Sequence, residues 1–421
     1  MSKRLCSALS VLAMLSAAPA LADEPVMSRF KVVLGGYVKL DYVHNTNALG
    51  PISPGAPGGG IPPVAAGAVK KDESLFTAKQ SRLWLKVAGP EYRGARTNAH
   101  VEVDFYGAGS LANEFPNLRM RHAYGTVDWA DTQVLFGQYW DVFGVACADT
   151  LDFRLGGTTG NPATPRVTQL RLTHKVELNQ DNALRLTVAA QNPVEHAAAG
   201  GSNSMSKTGG YGSALNGAAQ ISFISKALGV SPGYMGLGNS PLSVTLFGVA
   251  GKEKLSPGND VKVYGYGVHG FVPLMKSSDG KSRAMTLSLE TQGYVAAGLD
   301  VQGATAMSLV GATKEDAGAA KGYGLYGQLK FFPTQELGLT AGYGRRETLD
   351  WDEARSTSAA VLALSNQPFG AERSNRQMYA NVTYDLNPAF RVAAEFQRIE
   401  TTYAASKGQN NAFRMAAYYF F

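Results

Sequence analysis

An all-β chain, closed as a transmembrane antiparallel β-barrel of about sixteen strands, is predicted by three observations. The first is the ending: Phe413, Met415, Ala417, Tyr419 and Phe421 alternate with Arg414 and Ala416. Apolarity of period two sets one side of a strand against an apolar environment. The second is composition. The chain is 45% hydrophobic, yet no stretch after the start approaches the ~20 consecutive apolar residues of a spanning helix. Only 17% of residues are charged, and there are 48 Gly and 19 Tyr, a mix suited to many strands, tight turns and interfacial aromatics. The third is an alternation of long and short connections, which membrane barrels show because their loops on one side are long and their turns on the other short.

The elements follow in order. Met1 to Ala22 reads as a cleaved signal peptide: Lys3 and Arg4 give a positive start, Leu5 to Ala18 is apolar, and Ala20-Leu21-Ala22 supplies the small-residue cleavage site. Its apolar stretch is about 14 residues, too short to span a bilayer. Residues 23–421 then form one barrel domain. Segments of roughly 10–14 alternating residues begin near Phe30, Lys79, Gly94, Asn117, Thr132, Pro165, Asn182 and Gly212, then near Ser240, Val261, Arg283, Gly322, Glu336, Ser374, Ala389 and Gln409. In the first, Val38, Leu40 and Tyr42 oppose Lys39 and Asp41. In the third, Ala99, Val101, Val103 and Phe105 oppose His100, Glu102 and Asp104. In the seventh, Leu184, Leu186 and Val188 oppose Arg185 and Thr187.

A soluble sandwich would alternate in the same way, so the connections decide between the two. His44 to Ala78, Gly107 to Pro116, Asp141 to Thr164 and Leu349 to Arg373 are long. Trp129-Ala130-Asp131, Leu178-Asn179-Gln180-Asp181 and Pro333-Thr334-Gln335 are tight. Long members are extracellular loops and short members periplasmic turns. Ala227 to Asn239 and Pro273 to Ser282 fall where turns belong yet are longer, so the count is open by two. An even count sets both termini on the periplasmic side, and Asp23 to Arg29 leaves no room for a soluble domain before the first strand.

Charge and cysteine content exclude several classes. The chain has 39 basic and 33 acidic side chains without a Lys/Arg cluster, which is not a nucleic-acid footprint. Cys6 leaves with the signal, so Cys147 stands alone and neither an intramolecular disulfide nor a cysteine-rich metal site can form. No haem-attachment motif is present. The six His, at His44, His100, His122, His174, His196 and His269, lack a nucleophile and carboxylate at a workable spacing. An enzyme is not expected, nor is a metal or other cofactor.

The chemistry lies on the non-lipid face. Lys39, Arg82, Lys86, Arg119, Arg121, Arg171 and Arg185 fall there on successive strands. A charge facing hydrocarbon at the midplane would cost about 2–4 kcal/mol, so these side chains point into the lumen. Converging basic groups build a positive wall, as charged rings do in selective pores. At ~6 Å, one Arg attracts a solute charge by about 0.7 kcal/mol in water and nearly 3 kcal/mol at an effective dielectric of 20. The alternative is that Glu102, Asp104 and other lumen acids pair with them and leave little net field. The loop 141–164 is the candidate constriction. It carries Asp141, Asp149, Asp152 and Arg154, and folded inward it would oppose the basic wall and create a transverse field. Kept outside, it is an ordinary external loop. By parity His122 points outward beside Tyr124, and Gln138 also falls on the lipid side, where a bulge would account for it.

These residues resemble the trimeric porins of Gram-negative outer membranes, most closely the DcaP-like group. The carrying stretches are Gly36-Tyr37-Val38-Lys39-Leu40-Asp41, Gln80-Ser81-Arg82-Leu83, Leu118-Arg119-Met120-Arg121-His122-Ala123-Tyr124 and Gly137-Gln138-Tyr139-Trp140-Asp141-Val142-Phe143. Gln169-Leu170-Arg171, Ala190-Gln191-Asn192-Pro193 and the terminal Tyr419 and Phe421 complete them. The resemblance implies a sixteen-stranded homotrimer in the outer membrane, in contact with lipid and lipopolysaccharide. Its third external loop would enter each pore, which would favour small anions such as dicarboxylates. Arg119 and Arg121 match paired basic positions, Arg82 and Arg171 other wall positions, and Phe421 with Tyr419 the signal read by the barrel-assembly machinery. Many members carry a helical amino-terminal extension; without one, trimer contacts would come from the barrel walls. A structural or adhesive barrel with a closed lumen is the alternative. Amino-terminal sequencing of the protein extracted from membranes should begin at Asp23; a chain starting at Met1 would end the signal-peptide reading.

Overall fold

Backbone N–H and C=O groups cannot be left unpaired in hydrocarbon, so a sheet that crosses a membrane must close on itself. The computed structural model does so. It describes residues 30–47, 70–107, 117–151, 158–162, 166–193, 215–256, 259–300, 303–364 and 371–421. In chain order the strands are β1 (Lys31–Asn47), β2 (Lys70–Thr77), β3 (Arg82–Ala88), β4 (Arg96–Gly107), β5 (Asn117–Asp128), β6 (Thr132–Trp140), β7 (Arg166–Glu177), β8 (Asn182–Gln191), β9 (Asn216–Pro232) and β10 (Asn239–Ser256). They continue as β11 (Asn259–Met275), β12 (Thr286–Ala297), β13 (Leu309–Val310), β14 (Gly318–Ala319), β15 (Lys321–Phe332), β16 (Leu337–Thr348), β17 (Glu372–Asn387), β18 (Phe390–Tyr403) and β19 (Lys407–Phe420).

Neighbours pair antiparallel, and β19 returns to β1 in the register Tyr37↔Phe420 through Asn45↔Ala412. Both β2 and β3 pair with β1, so together they are one barrel strand, interrupted at 78–81. There the Ser81 hydroxyl accepts the Lys39 N–H at 3.0 Å in place of a ladder bond. With β13 and β14 a separate ribbon, the barrel has sixteen strands.

The strand starts expected from the sequence fall within a few residues of those observed, with one exception. Lys70–Thr77 pairs with Asp41–Asn47, so the second strand rises well beyond its expected start near Lys79 and the first connection is shorter than His44 to Ala78. The charged run Lys70-Lys71-Asp72-Glu73 breaks the apolar alternation, and that hid the strand.

Inside and outside are inverted relative to a soluble protein. Val38 is 57% exposed while its neighbour Lys39 is fully buried, and Leu40, Leu118, Met120, Phe136, Leu170 and Met415 are also exposed. Asp104, Lys330, Glu372 and Gln377 are buried. In water that distribution would expose far more contiguous apolar surface than a soluble monomer tolerates; against acyl chains it is the stable one.

Part of the lumen is filled. At the end carrying the long connections, the β13–β14 ribbon and two short helices, Trp351–Ser356 and Ala359–Leu364, pack Met307, Val310 and Ala354 into one apolar cluster and Leu309 and Val361 into another. Below them Val142 and Phe143 pack against Phe247, Val263, Tyr294 and Leu299.

The last residue takes part in closure. Phe421 exchanges two backbone bonds with Gly36, at 3.0 and 3.1 Å, and its ring, like that of Tyr419, faces outward. Deleting Phe421 should lower the yield of folded barrel, read as loss of the heat-modifiable fast-migrating band on gels. An unchanged folded fraction would show that closure does not need it.

Candidate channel lumen

The basic wall stands on β3 to β8. On β4, His100, Glu102 and Asp104 point inward, as their parity requires. Opposite them, β5 is bulged: Glu102 pairs with His122 but Val103 with Met120, leaving Arg121 as the extra residue. A bulge shifts side-chain parity by one, so the consecutive Arg121 and His122 are both buried on the inner side, at 4% and 5% exposure. This corrects the outward placement of His122, which strict alternation demanded. It also accounts for Gln138. That side chain lies on β6 beside the bulge and donates to the carbonyls of Met120 at 3.1 Å and Arg121 at 3.0 Å. The irregularity expected at Gln138 therefore belongs to the neighbouring strand.

Three arginines share two carboxylates. Arg119 grips Asp104 with two parallel bonds of 2.9 and 2.6 Å. Arg121 donates to Asp104 at 2.8 Å and also to Glu102, and Arg82 lies 3.5 Å from Glu102. Pairing of this kind fixes guanidiniums in place and partly answers the reading in which acids cancel the field. It does not reach the remaining cations. Arg171 donates to the Trp140 carbonyl at 3.1 Å and stacks on Tyr139, Arg166 lies over the Trp140 ring at 5.2 Å, and Arg185 is exposed. Among the described residues none of these three has a carboxylate partner.

All six arginines line a cavity of about 730 Å³. A second cavity of about 460 Å³ adjoins it towards the tight-turn end and carries Lys31, Lys86, His100, Tyr124 and Arg171. Lys39 does not join this wall. Its ammonium contacts Asp41 at 2.7 Å and the Leu151 carbonyl at 3.0 Å, which ties the strand to the segment described next.

The described residues between β6 and β7, 141–151 and 158–162, lie inside the barrel. Asp141 accepts from Phe143 N at 2.8 Å and Gln191 at 2.7 Å. Val145 N donates to Gln292 at 2.9 Å, Asp149 N to Gln328 at 2.9 Å, and Leu151 N to Glu395 at 2.8 Å. After 152–157, Thr158 and Thr159 both donate to Gln377, at 2.7 and 3.0 Å, and Asn161 accepts from Gln292 at 2.8 Å. Buried backbone needs partners, and glutamines on the inward parity of five strands (Gln191, Gln220, Gln292, Gln328 and Gln377) supply most of them. Gly160 and Gly344 allow the closest approach. A Cβ on Gly160 would lie 2.2 Å from the carbonyls of Leu325 and Arg345, and one on Gly344 would lie 1.9 Å from that of Thr159.

Asp141 borders the main cavity, whereas Asp149 is buried behind it, between Gln328, Lys330 and Met235. The side facing the basic wall is Val145, Ala146, Cys147 and Ala148 with Tyr234, so the described part presents one carboxylate to the passage and no acidic wall. Asp152 and Arg154 lie outside the described residues. Two contributors were missed from the sequence. Arg166 sits on the lipid-side parity of β7, opposite Trp140, and alternation lapses where the ladder ends. The inward glutamines repeat along the chain, a signal open to the same parity argument as the arginines.

A barrel oily outside and charged within, with a passage beside an infolded segment, defines a β-barrel channel of the outer membrane. The chain belongs to the Gram-negative porin family, whose model matches residues 8–421. Family and fold indicate a channel rather than an enzyme. Comparison with curated proteins gives no match. Among solved structures, the outer membrane channel DcaP of Acinetobacter baumannii superposes with a TM-score of 0.67 at 20% identity, covering 95% of this chain and 100% of that one. An anion-selective porin from Comamonas acidovorans gives 0.53 at 9% identity over 93% and 100% of the two chains. Salmonella typhi OmpF, in complex with daunomycin, gives 0.54 at 13% over 94% and 100%. At these identities the likeness is one of fold.

Replacing Gln138 with Leu leaves two carbonyls at the bulge without donors, at about 1–3 kcal/mol each. Urea unfolding of the barrel in lipid vesicles should show a loss of that order. Unchanged stability would mean that the bulge is satisfied in another way.

Proposed function

We propose that the protein is a passive, water-filled diffusion channel for small hydrophilic solutes that favours anions such as dicarboxylates, working as a homotrimer. In this reading residues 1–22 are the leader and 23–421 the barrel, and the segment 141–164 narrows the pore. The observation that carries the reading is the surplus of guanidinium over carboxylate along the main cavity. Arg82, Arg119 and Arg121 exceed Glu102 and Asp104, while Arg166, Arg171 and Arg185 add charge; of the other carboxylates lining the cavity, Asp141 lies near them and Glu290 is already paired with Lys330. At ~6 Å one unpaired guanidinium favours a passing anion by about 0.7 to 3 kcal/mol, depending on the local dielectric. That range biases permeation without trapping the solute, which a conducting site requires.

Planar bilayers with the purified protein under a salt gradient test this directly. A reversal potential of the sign for anion flow is expected, and cation preference would reject the charge argument. A protein that inserts but does not conduct would favour the structural barrel. Arg171→Gln together with Arg185→Gln should move the reversal potential towards cations while the channel still opens. Arg119→Gln with Arg121→Gln should move it the same way, because Glu102 and Asp104 then lose their counter-charges.

A further inference from the structure

Between β9 and β10 the chain does not turn at the barrel rim. Ser225 pairs with Leu242 and Val230 with Pro241, so residues 226–229 loop out and a short second ladder, Val230–Pro232 against Asn239–Pro241, continues beyond them. This small hairpin bends into the lumen. Val230 O accepts from Ser277 N at 2.7 Å and Pro232 O from the Ser288 hydroxyl at 3.4 Å. Its tip, Gly233 to Gly238, reaches the far wall: Met235 is 6% exposed, among Tyr37, Leu151, Ala393, Ala416 and Tyr418.

Both backbone groups of Met235 are held. Its N–H donates to Asp149 Oδ2 at 2.8 Å, on the segment that comes in from the opposite end of the barrel. Its carbonyl accepts from Arg391 Nη1 at 2.9 Å. Arg391 is fixed by Asp385, which also takes Arg283 at 2.6 Å, and Arg283 donates to the Gly236 carbonyl at 3.3 Å. Met235 adopts φ 49°, ψ 21°. That left-handed conformation is unfavourable for a residue with a side chain and persists where surrounding contacts over-determine it. The neighbouring Tyr234 lines the main cavity beside Cys147 and Ala148.

We propose that this periplasmic hairpin is the second jaw of the constriction. Clasped to Asp149, it closes the lumen on the β10–β19 side from below, holds the segment 141–151 in place, and confines solutes to the basic wall. The inference rests on the channel reading above and adds the element that sets pore width. Tyr234 and Met235 become size-determining residues: one borders the passage, the other locks the jaw.

Two measurements on the full-length barrel test it. Deleting Tyr234 to Leu237, so that Gly233 joins Gly238, should raise single-channel conductance about twofold or more, since a narrow section limits conduction, and should admit larger sugars in vesicle-swelling assays. Unchanged conductance and size limit in the assembled variant would overturn the proposal. Should that variant fail to assemble, thiol labelling decides, in a Cys147→Ser background. Met235→Cys should react with a charged, membrane-impermeant maleimide at least about tenfold more slowly than Leu237→Cys, because labelling requires local opening; Leu237 is 65% exposed on the same turn. Adding Asp149→Ala should speed the Met235→Cys reaction. Equal rates at the two positions would place the hairpin outside the lumen and reject the clasp. Cation preference in the parent overturns the anion reading alone, since conductance steps and labelling rates report the hairpin whatever the sign of selectivity.

Discussion

Every feature of this structure depends on one constraint: a peptide group within the bilayer must find its hydrogen-bond partner in the protein. The constraint forces β19 back onto β1 and carries pairing to the final residue, where Phe421 and Gly36 complete the ladder. It also governs the exception. At the β5 bulge two carbonyls fall out of register, and the Gln138 amide takes them both, so a polar residue on the lipid side is a consequence of the geometry.

The same accounting operates inside the barrel. A chain segment folded into the lumen brings its own peptide groups, and the wall meets most of them with glutamines, charged partners being kept for Leu151 and Met235. A neutral amide can both donate and accept and adds no field of its own. That choice keeps the filled side of the lumen electrically quiet apart from locked pairs such as Arg346–Glu372 and Lys330–Glu290. The ribbon and short helices above, the infolded segment in the middle and the small hairpin below all crowd the β10–β19 side, which leaves the strands carrying the arginines to face the open water.

Charge on the open side is arranged in two tiers. Arg82, Arg119 and Arg121 are held by Glu102 and Asp104, which fixes their positions while part of their charge is cancelled. Arg166, Arg171 and Arg185 rest on aromatic faces, on a backbone carbonyl or in solvent. Guanidinium suits this task because it stays ionised and stacks on rings. The first tier is fixed by its carboxylates, and the second makes no ion pair with a carboxylate among the described residues.

The sequence by itself determined the barrel and a strand number of about sixteen, open by two, and its parity set most of the wall's arginines on the non-lipid side, because lipid on one side and water on the other impose a period of two. It also offered 141–164 as a candidate constriction, with an ordinary external loop left open beside it, and showed the family through its motifs. What only the tertiary structure decided lies where that period stops acting: the bulge that turns His122 inward, the charged strand Lys70–Thr77, Arg166 at a ladder end, and the burial of Lys39 and Asp149 beneath folded-in chain. Contacts between a loop and a wall hundreds of residues away, such as Leu151 with Glu395, leave no periodic trace, since they are set by where the chain is free to fold once the barrel has closed.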